Sequence, residues 1–136
     1  MSGTNQISIM VVEDDGIIAF DIMIRLQELG YPDIEYAMSG EDALHYLSLH
    51  PVDLIFMDIT LGGNMDGIQT AAAVRGRYGI PVVFLTAHSD ISMREKAMDA
   101  GPAGYILKPF GDEDLQTAIE RALSSVPTQD HIATCV

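Results

Sequence analysis

Five short apolar runs, each followed by a stretch with helical spacing, constrain this chain more than any other feature. Ile7 to Val12 stops at Glu13-Asp14-Asp15. Ile34 to Ala37 follows Pro32, and Leu54 to Met57 runs unbroken into Asp58. Pro81 to Leu85 leads to Thr86, and Gly104 to Leu107 ends at Lys108-Pro109. Apolar runs of this length, without alternation, read as strands buried on both faces. Between them, Gly16 to Leu29 carries Ile17, Ile18, Phe20, Ile22, Ile24 and Leu29, which predicts a helix with a broad apolar face. Asp15 suits its N-cap and Gly30 its C′ position. Further helices are predicted from Ser39, where Ser39 to Asp42 fits a capping box, to about Leu49, from Asp66 to about Arg77, from a cap at Ser89 or Asp90 to about Ala100, and from a cap at Asp112 through Leu123.

Strict β-α alternation implies a parallel sheet with helices on both faces. Right-handed crossovers then bring every strand's C-terminal end to one edge. Glu13, Asp14, Asp58, Thr86 and Lys108 would share that rim. The acids of strands one and three meet only if those strands are adjacent, as in the order 2-1-3-4-5. The predicted fold is therefore α/β, a doubly wound, flavodoxin-like (βα)5 domain with a five-stranded parallel sheet. Asp58 alone reads equally well as a residue that merely ends a strand.

The 136 residues fit one domain, at 6–124, and 48% of them are hydrophobic, which argues against disorder. Residues 125–136 are polar and contain Pro127, and read as a flexible tail with no output domain. No apolar run approaches the ~20 residues of a membrane span. The start of the chain lacks the pattern of a signal peptide, and the single Cys135 suits a reducing compartment, so a cytoplasmic location is expected. The formal net charge of −13 argues against direct nucleic-acid binding. The chain has only two lysines, Lys96 and Lys108, and one of them falls on the acidic rim.

Clustered carboxylates repel and hold their protons unless a cation is present. Oxygen donors without His or Cys select Mg²⁺, or Mn²⁺ in its place. A carboxylate beside such a cation can attack phosphorus. Lys108 would supply a positive charge, and Thr86 a hydroxyl donor, to a transferring phosphoryl group.

The sequence resembles the receiver domain of two-component response regulators. The matching residues are Val11-Val12-Glu13-Asp14-Asp15, Met57-Asp58, Met65-Asp66-Gly67, Phe84-Leu85-Thr86-Ala87 and Gly104-Tyr105-Ile106-Leu107-Lys108-Pro109-Phe110. The resemblance covers about residues 6–124. It implies that Asp58 accepts a phosphoryl group from the phosphohistidine of a sensor histidine kinase or phosphotransfer protein. Glu13, Asp14, Asp58 and the main-chain carbonyl of Thr60 would hold Mg²⁺. Thr86 and Tyr105 would form a switch that alters the surface of helix four, strand five and helix five. A downstream target protein would read that surface, and a homodimer could form through it. Thr60 and His88 would tune loss of the phosphoryl group, and the Lys108–Pro109 peptide would be cis. No nucleic acid, membrane or external substrate is expected as a direct partner, and the only catalysis expected is of its own phosphorylation and dephosphorylation.

The loop Leu61-Gly62-Gly63-Asn64 departs from the family pattern, lacking its usual proline and running one residue longer. The run from Asp58 to Gly67 is similar to a receiver subset often associated with kinases of multi-step relays. Two other classes stay open. A haloacid-dehalogenase-type phosphatase shares the nucleophilic Asp, hydroxyl, Lys and acid pair, but needs an acid where Thr60 stands. A flavodoxin-like binding module or pseudo-receiver would not need the complete set.

Overall fold

The computed structural model describes residues 6–87 and 91–135, with side chains through residue 124. Strands β1 (Ser8–Val12), β2 (Asp33–Ala37), β3 (Leu54–Asp58), β4 (Val82–Thr86) and β5 (Gly104–Leu107) form one parallel sheet of order β2-β1-β3-β4-β5. Helices α1 (Gly16–Glu28), α2 (Gly40–Leu47), α3 (Gly67–Tyr78), α4 (Ile91–Asp99) and α5 (Asp112–Cys135) connect and follow the strands.

The strand side chains alternate between two cores. Met10, Val12, Ile55, Met57, Val82 and Phe84 face Ala43, Leu47, Ala71, Val74, Ala97 and Ala100 of α2, α3 and the α4 region. Ile9, Val11, Leu54, Phe56, Val83 and Leu85 face Ala19, Ile22 and Leu26 of α1 and Leu115, Ile119 and Ala122 of α5. Both strand faces are covered, which is why β3 and β4 read as unbroken apolar runs.

Side-chain caps set where the helices start. Asp15 Oδ1 accepts the Ile17 and Ile18 N–H groups at 2.9 and 3.3 Å. Ser39 Oγ accepts Asp42 N–H at 3.0 Å. Asp66 and Gln69 form a reciprocal capping box at α3. Gly30, directly after α1, takes a φ of 105°, which suits a residue without Cβ.

Three expectations differ. The apolar face of α1 is narrower than predicted: Ile17 and Phe20 are 83% and 64% exposed, and Ile24 is 37% exposed. One side of the helix meets the sheet, and Ala19, Ile22 and Leu26 fill it. Asp112 is the first residue of α5 rather than its cap. Its carboxylate instead takes Arg25 Nη1 at 2.9 Å and ties α5 to α1, while Asp114 accepts the Gly111 N–H at 2.8 Å. Helix α5 spans Asp112–Cys135, past the boundary at Leu123; the side chains of 125–136 lie outside the described residues, as do the proposed α4 caps Ser89 and Asp90.

The start of α3 presses on the end of β3. Gly67 N–H donates to Ile59 O at 2.8 Å, and a Cβ at Gly67 would lie 2.0 Å from Asp58 O and 2.8 Å from Ile59 Cα. Gly67→Ala is expected to destabilise the fold by about 1–3 kcal/mol in chemical denaturation, as over-packing does. Gly76→Ala, at an exposed position of the same helix with nothing within 4 Å, is expected to stabilise it by about 0.5–1 kcal/mol.

Candidate functional site

The ends of β1, β3, β4 and β5 converge on one rim because the sheet is parallel. The β1 terminus continues its pairing one step further, with Glu13 N–H donating to Ala37 O at 3.1 Å. Beyond β5, Lys108 N–H likewise donates to Thr86 O at 2.7 Å. These extensions carry the side chains of Glu13 and Lys108 from opposite sides towards Asp58, the last residue of the central strand.

Glu13 and Asp58 are nearly out of water, at 2% and 6% exposure. Lys108 Nζ lies 3.2 Å from Glu13 Oε1 and 3.9 Å from Asp58 Oδ2. Asp14 is exposed beside them, and each of Glu13, Asp14 and Asp58 offers an oxygen within 4.8 Å of the others. Asp58 Oδ1 accepts from the Thr60 N–H at 3.2 Å and from its hydroxyl at 3.4 Å. Thr86 is fully buried at the end of the neighbouring strand, and Tyr105 is half-buried on β5. The guanidinium of Arg94, on α4, sits 5.2 Å from the centroid of the Tyr105 ring. The Lys108–Pro109 peptide is cis. His88 lies outside the described residues.

The electrostatics follow from burial. The carboxyl of Glu13 is pushed up from 4.5 to about 7, first by desolvation and then by Asp58, against the opposing effect of the Asp15 N–H and Lys108. Tyr36, at the end of β2, is also raised, by burial and then by Glu13, Asp14 and Asp15. One lysine does not neutralise three acids. A group of hard oxygen donors with surplus negative charge fits a divalent cation such as Mg²⁺, and Glu13, Asp14 and Asp58 are the residues that could hold it.

Two features escaped the sequence reading. One is the contact of Arg94 with Tyr105, which needs α4 and β5 side by side. The other is the anchoring of the β3–α3 loop. Gly62 N–H donates to Asp14 Oδ2 at 3.1 Å, and Asn64 N–H to Glu41 Oε2 at 3.0 Å. The only sequence hint was an acid in the first turn of α2, where the helix dipole already explains it.

The elevated Glu13 carboxyl has a consequence for stability. Its folded-state value lies above its unfolded one, so the folded protein holds the extra proton between about pH 4.5 and 7. Stability from this group is full below 4.5 and is lost as pH rises through 7. In cation-free protein, the melting temperature of wild type minus that of Glu13→Gln is expected to fall across this window and level off above it. Thermal melts from pH 4 to 9 in chelator check this.

Comparison with known proteins places the chain. The family model of the response regulator receiver domain matches residues 9–120. The transcriptional regulatory protein PdtaR of Mycobacterium tuberculosis is 37% identical over 116 residues, which cover 85% of this chain and 56% of that protein. The transcriptional regulatory protein KdpE of the same organism is 33% identical over 115 residues, or 85% of this chain and 50% of that one. The chain thus spans about half the length of the curated relatives it matches. Among solved structures, the N-terminal domain of a response regulator/sensory box/GGDEF 3-domain protein from Carboxydothermus hydrogenoformans superposes with a TM-score of 0.82. Its identity is 39%, and the match covers 91% of this chain and 99% of that one. The receiver domain of NtrX from Brucella abortus gives 0.80 at 28% identity, covering 86% and 98%. With its parallel sheet, its strand order and this rim of acids around Asp58, the chain belongs to the response regulator receiver domain family.

Proposed function

We propose that the chain is the phosphoacceptor of a two-component system or phosphorelay, with Asp58 as the group modified. The observation that carries this reading is the placement of Asp58: buried at the end of the central strand, 3.9 Å from Lys108 and within 4.8 Å of the oxygens of Glu13 and Asp14. An Asp58 oxygen attacks the phosphorus of a phosphohistidine, the P–N bond breaks, and the imidazole nitrogen leaves with the bonding pair and takes a proton. The product is an acyl phosphate on Asp58. Glu13, Asp14, Asp58 and the Thr60 main-chain carbonyl would hold Mg²⁺. When bound, that ion neutralises charge on the phosphoryl oxygens. Lys108 releases part of its contact with Glu13 and pairs with the phosphoryl group, and the Thr86 hydroxyl donates to it. Thr60, whose N–H and hydroxyl already engage Asp58, controls with His88 how water reaches the acyl phosphate. Thr60 stands where a haloacid-dehalogenase-type phosphatase needs an acid, so transfer to the protein is favoured over turnover of an external substrate.

The new dianion biases a two-state element. Thr86 moves toward it, and Tyr105 follows from its place beside Arg94. The surface that changes is that of α4, β5 and α5. It exposes Ile91, Met98 and Leu107, which suits recognition by a downstream protein or a second copy of the chain. The phosphodonor approaches elsewhere. Ile17, Phe20 and Ile24 are spaced three and four apart along the outer face of α1, immediately after the acidic rim. An exposed apolar stripe beside a reactive centre suits docking of a helical phosphohistidine domain. Among the described residues no helix is long and apolar enough to cross a membrane.

Incubation with acetyl phosphate and Mg²⁺ is expected to add one phosphoryl group by intact-protein mass spectrometry, and none to Asp58→Asn. Labelled Asp58→Asn, or an unlabelled wild type, would refute the assignment. Phe20→Asp is expected to slow transfer from a histidine phosphotransfer domain by about tenfold or more, the loss of a docking anchor of about 1.4 kcal/mol or above. Its labelling by acetyl phosphate should match wild type, which separates docking from chemistry.

A further inference from the structure

The loop from Thr60 to Asp66 has apolar anchors only near its two ends, Leu61 in the core and Met65 half-buried beside Gly40. Leu61 is buried at its start, but Gly62, Gly63 and Asn64 are exposed. Polar contacts hold this exposed middle stretch, at two points. Gly62 N–H donates to Asp14 Oδ2 at 3.1 Å, and Asn64 N–H donates to Glu41 Oε2 at 3.0 Å. Between them Gly63 takes a φ of 90°, with its Cβ position 3.4 Å from Glu41 Oε1. The loop backbone therefore lies directly against the Glu41 carboxylate. Glu41 itself is well fixed. It sits half-buried in the first turn of α2, where Ser39 caps the helix. Its neighbour Gly40 packs so closely on Thr70 and Met65 that a Cβ there would lie 2.0 Å from Thr70 Oγ1 and 3.3 Å from Met65 Cβ.

Asp14 is in the opposite situation. It is exposed, and among the described residues it forms no salt bridge and accepts its hydrogen bond from Gly62. An exposed carboxylate has several rotamers, and holding one of them takes an external contact. We propose that Glu41 is a positioning residue for the acidic site. By holding the loop at Asn64 it keeps the Gly62 N–H on Asp14, and so presets that carboxylate for a divalent cation. This rests on the cation reading of Glu13, Asp14 and Asp58. The effect travels through backbone amides, so it requires an acceptor at position 41 rather than a negative charge.

Calorimetric titration with MgCl₂ tests this at near-physiological salt, where the Debye length of about 8 Å screens exposed charges. Glu41→Ala is expected to weaken Mg²⁺ binding by about tenfold, the lower end of what loss of an orienting partner costs a metal site. Glu41→Gln, whose amide oxygen still accepts the Asn64 N–H, is expected to bind close to wild type. In cation-free protein, hydrogen exchange at the Gly62 and Asn64 amides should accelerate in Glu41→Ala and not in Glu41→Gln. Three results would overturn the inference while leaving the site reading intact. These are Glu41→Ala binding Mg²⁺ as wild type does, Glu41→Gln binding as weakly as Glu41→Ala, or Asn64 exchange accelerating without Gly62. Absence of Mg²⁺ binding in wild type would overturn both together.

Discussion

Two carboxylates almost wholly out of water, Glu13 and Asp58, share the single ammonium of Lys108, and the rest of the domain is built to keep them there. Burial of two like charges is unfavourable, and one lysine at 3.2 and 3.9 Å offsets only part of it. The remainder shows in the Glu13 carboxyl, held at about 7. Such an arrangement lowers the stability of the domain at neutral pH and is relieved by whatever brings a proton or a positive charge. It persists because the surrounding packing is independent of it. Two cores on either side of the sheet hold β1, β3 and β4 from end to end, with Phe56 and Phe84 fully buried on opposite faces.

The rigid and adjustable parts of the rim are cleanly divided. Asp58, Thr86 and Glu13 stand on or beside strand ends whose backbone is fixed by ladder hydrogen bonds. Asp14 and the loop that follows β3 are fixed by side-chain contacts exposed to water. Contacts of that kind are weak and open readily. The rim therefore combines a buried carboxylate on a fixed strand end, Asp58, with an exposed one, Asp14, whose loop contact can open. Around it lie two separate exposed apolar surfaces, one on α1 and one on α4 and β5.

Much of this was legible before the fold was known, for a particular reason. A parallel sheet makes sequence position and spatial position equivalent at strand ends, so apolar runs stopping at Glu13, Asp58, Thr86 and Lys108 already named the residues of the rim. Caps such as Asp15 and Ser39 were legible because capping is local. The width of the α1 face was not. Ile17, Phe20 and Ile24 have the same hydrophobicity as core residues, and only the direction in which the helix meets the sheet leaves them in water. The Asp112 carboxylate looked like a cap and proved to be a bridge to Arg25, a partner 87 residues away.

The sequence by itself determined the order of elements, the double-sided burial of the strands and the residues that meet at the acidic rim, because each follows from local periodicity and from one rule of handedness. Only the tertiary structure decided how far Glu13 is desolvated, which acid Lys108 approaches most closely, and that Glu41 holds the loop beside Asp14. Those depend on distances of 3 to 4 Å between groups far apart in the chain, and no local pattern encodes them.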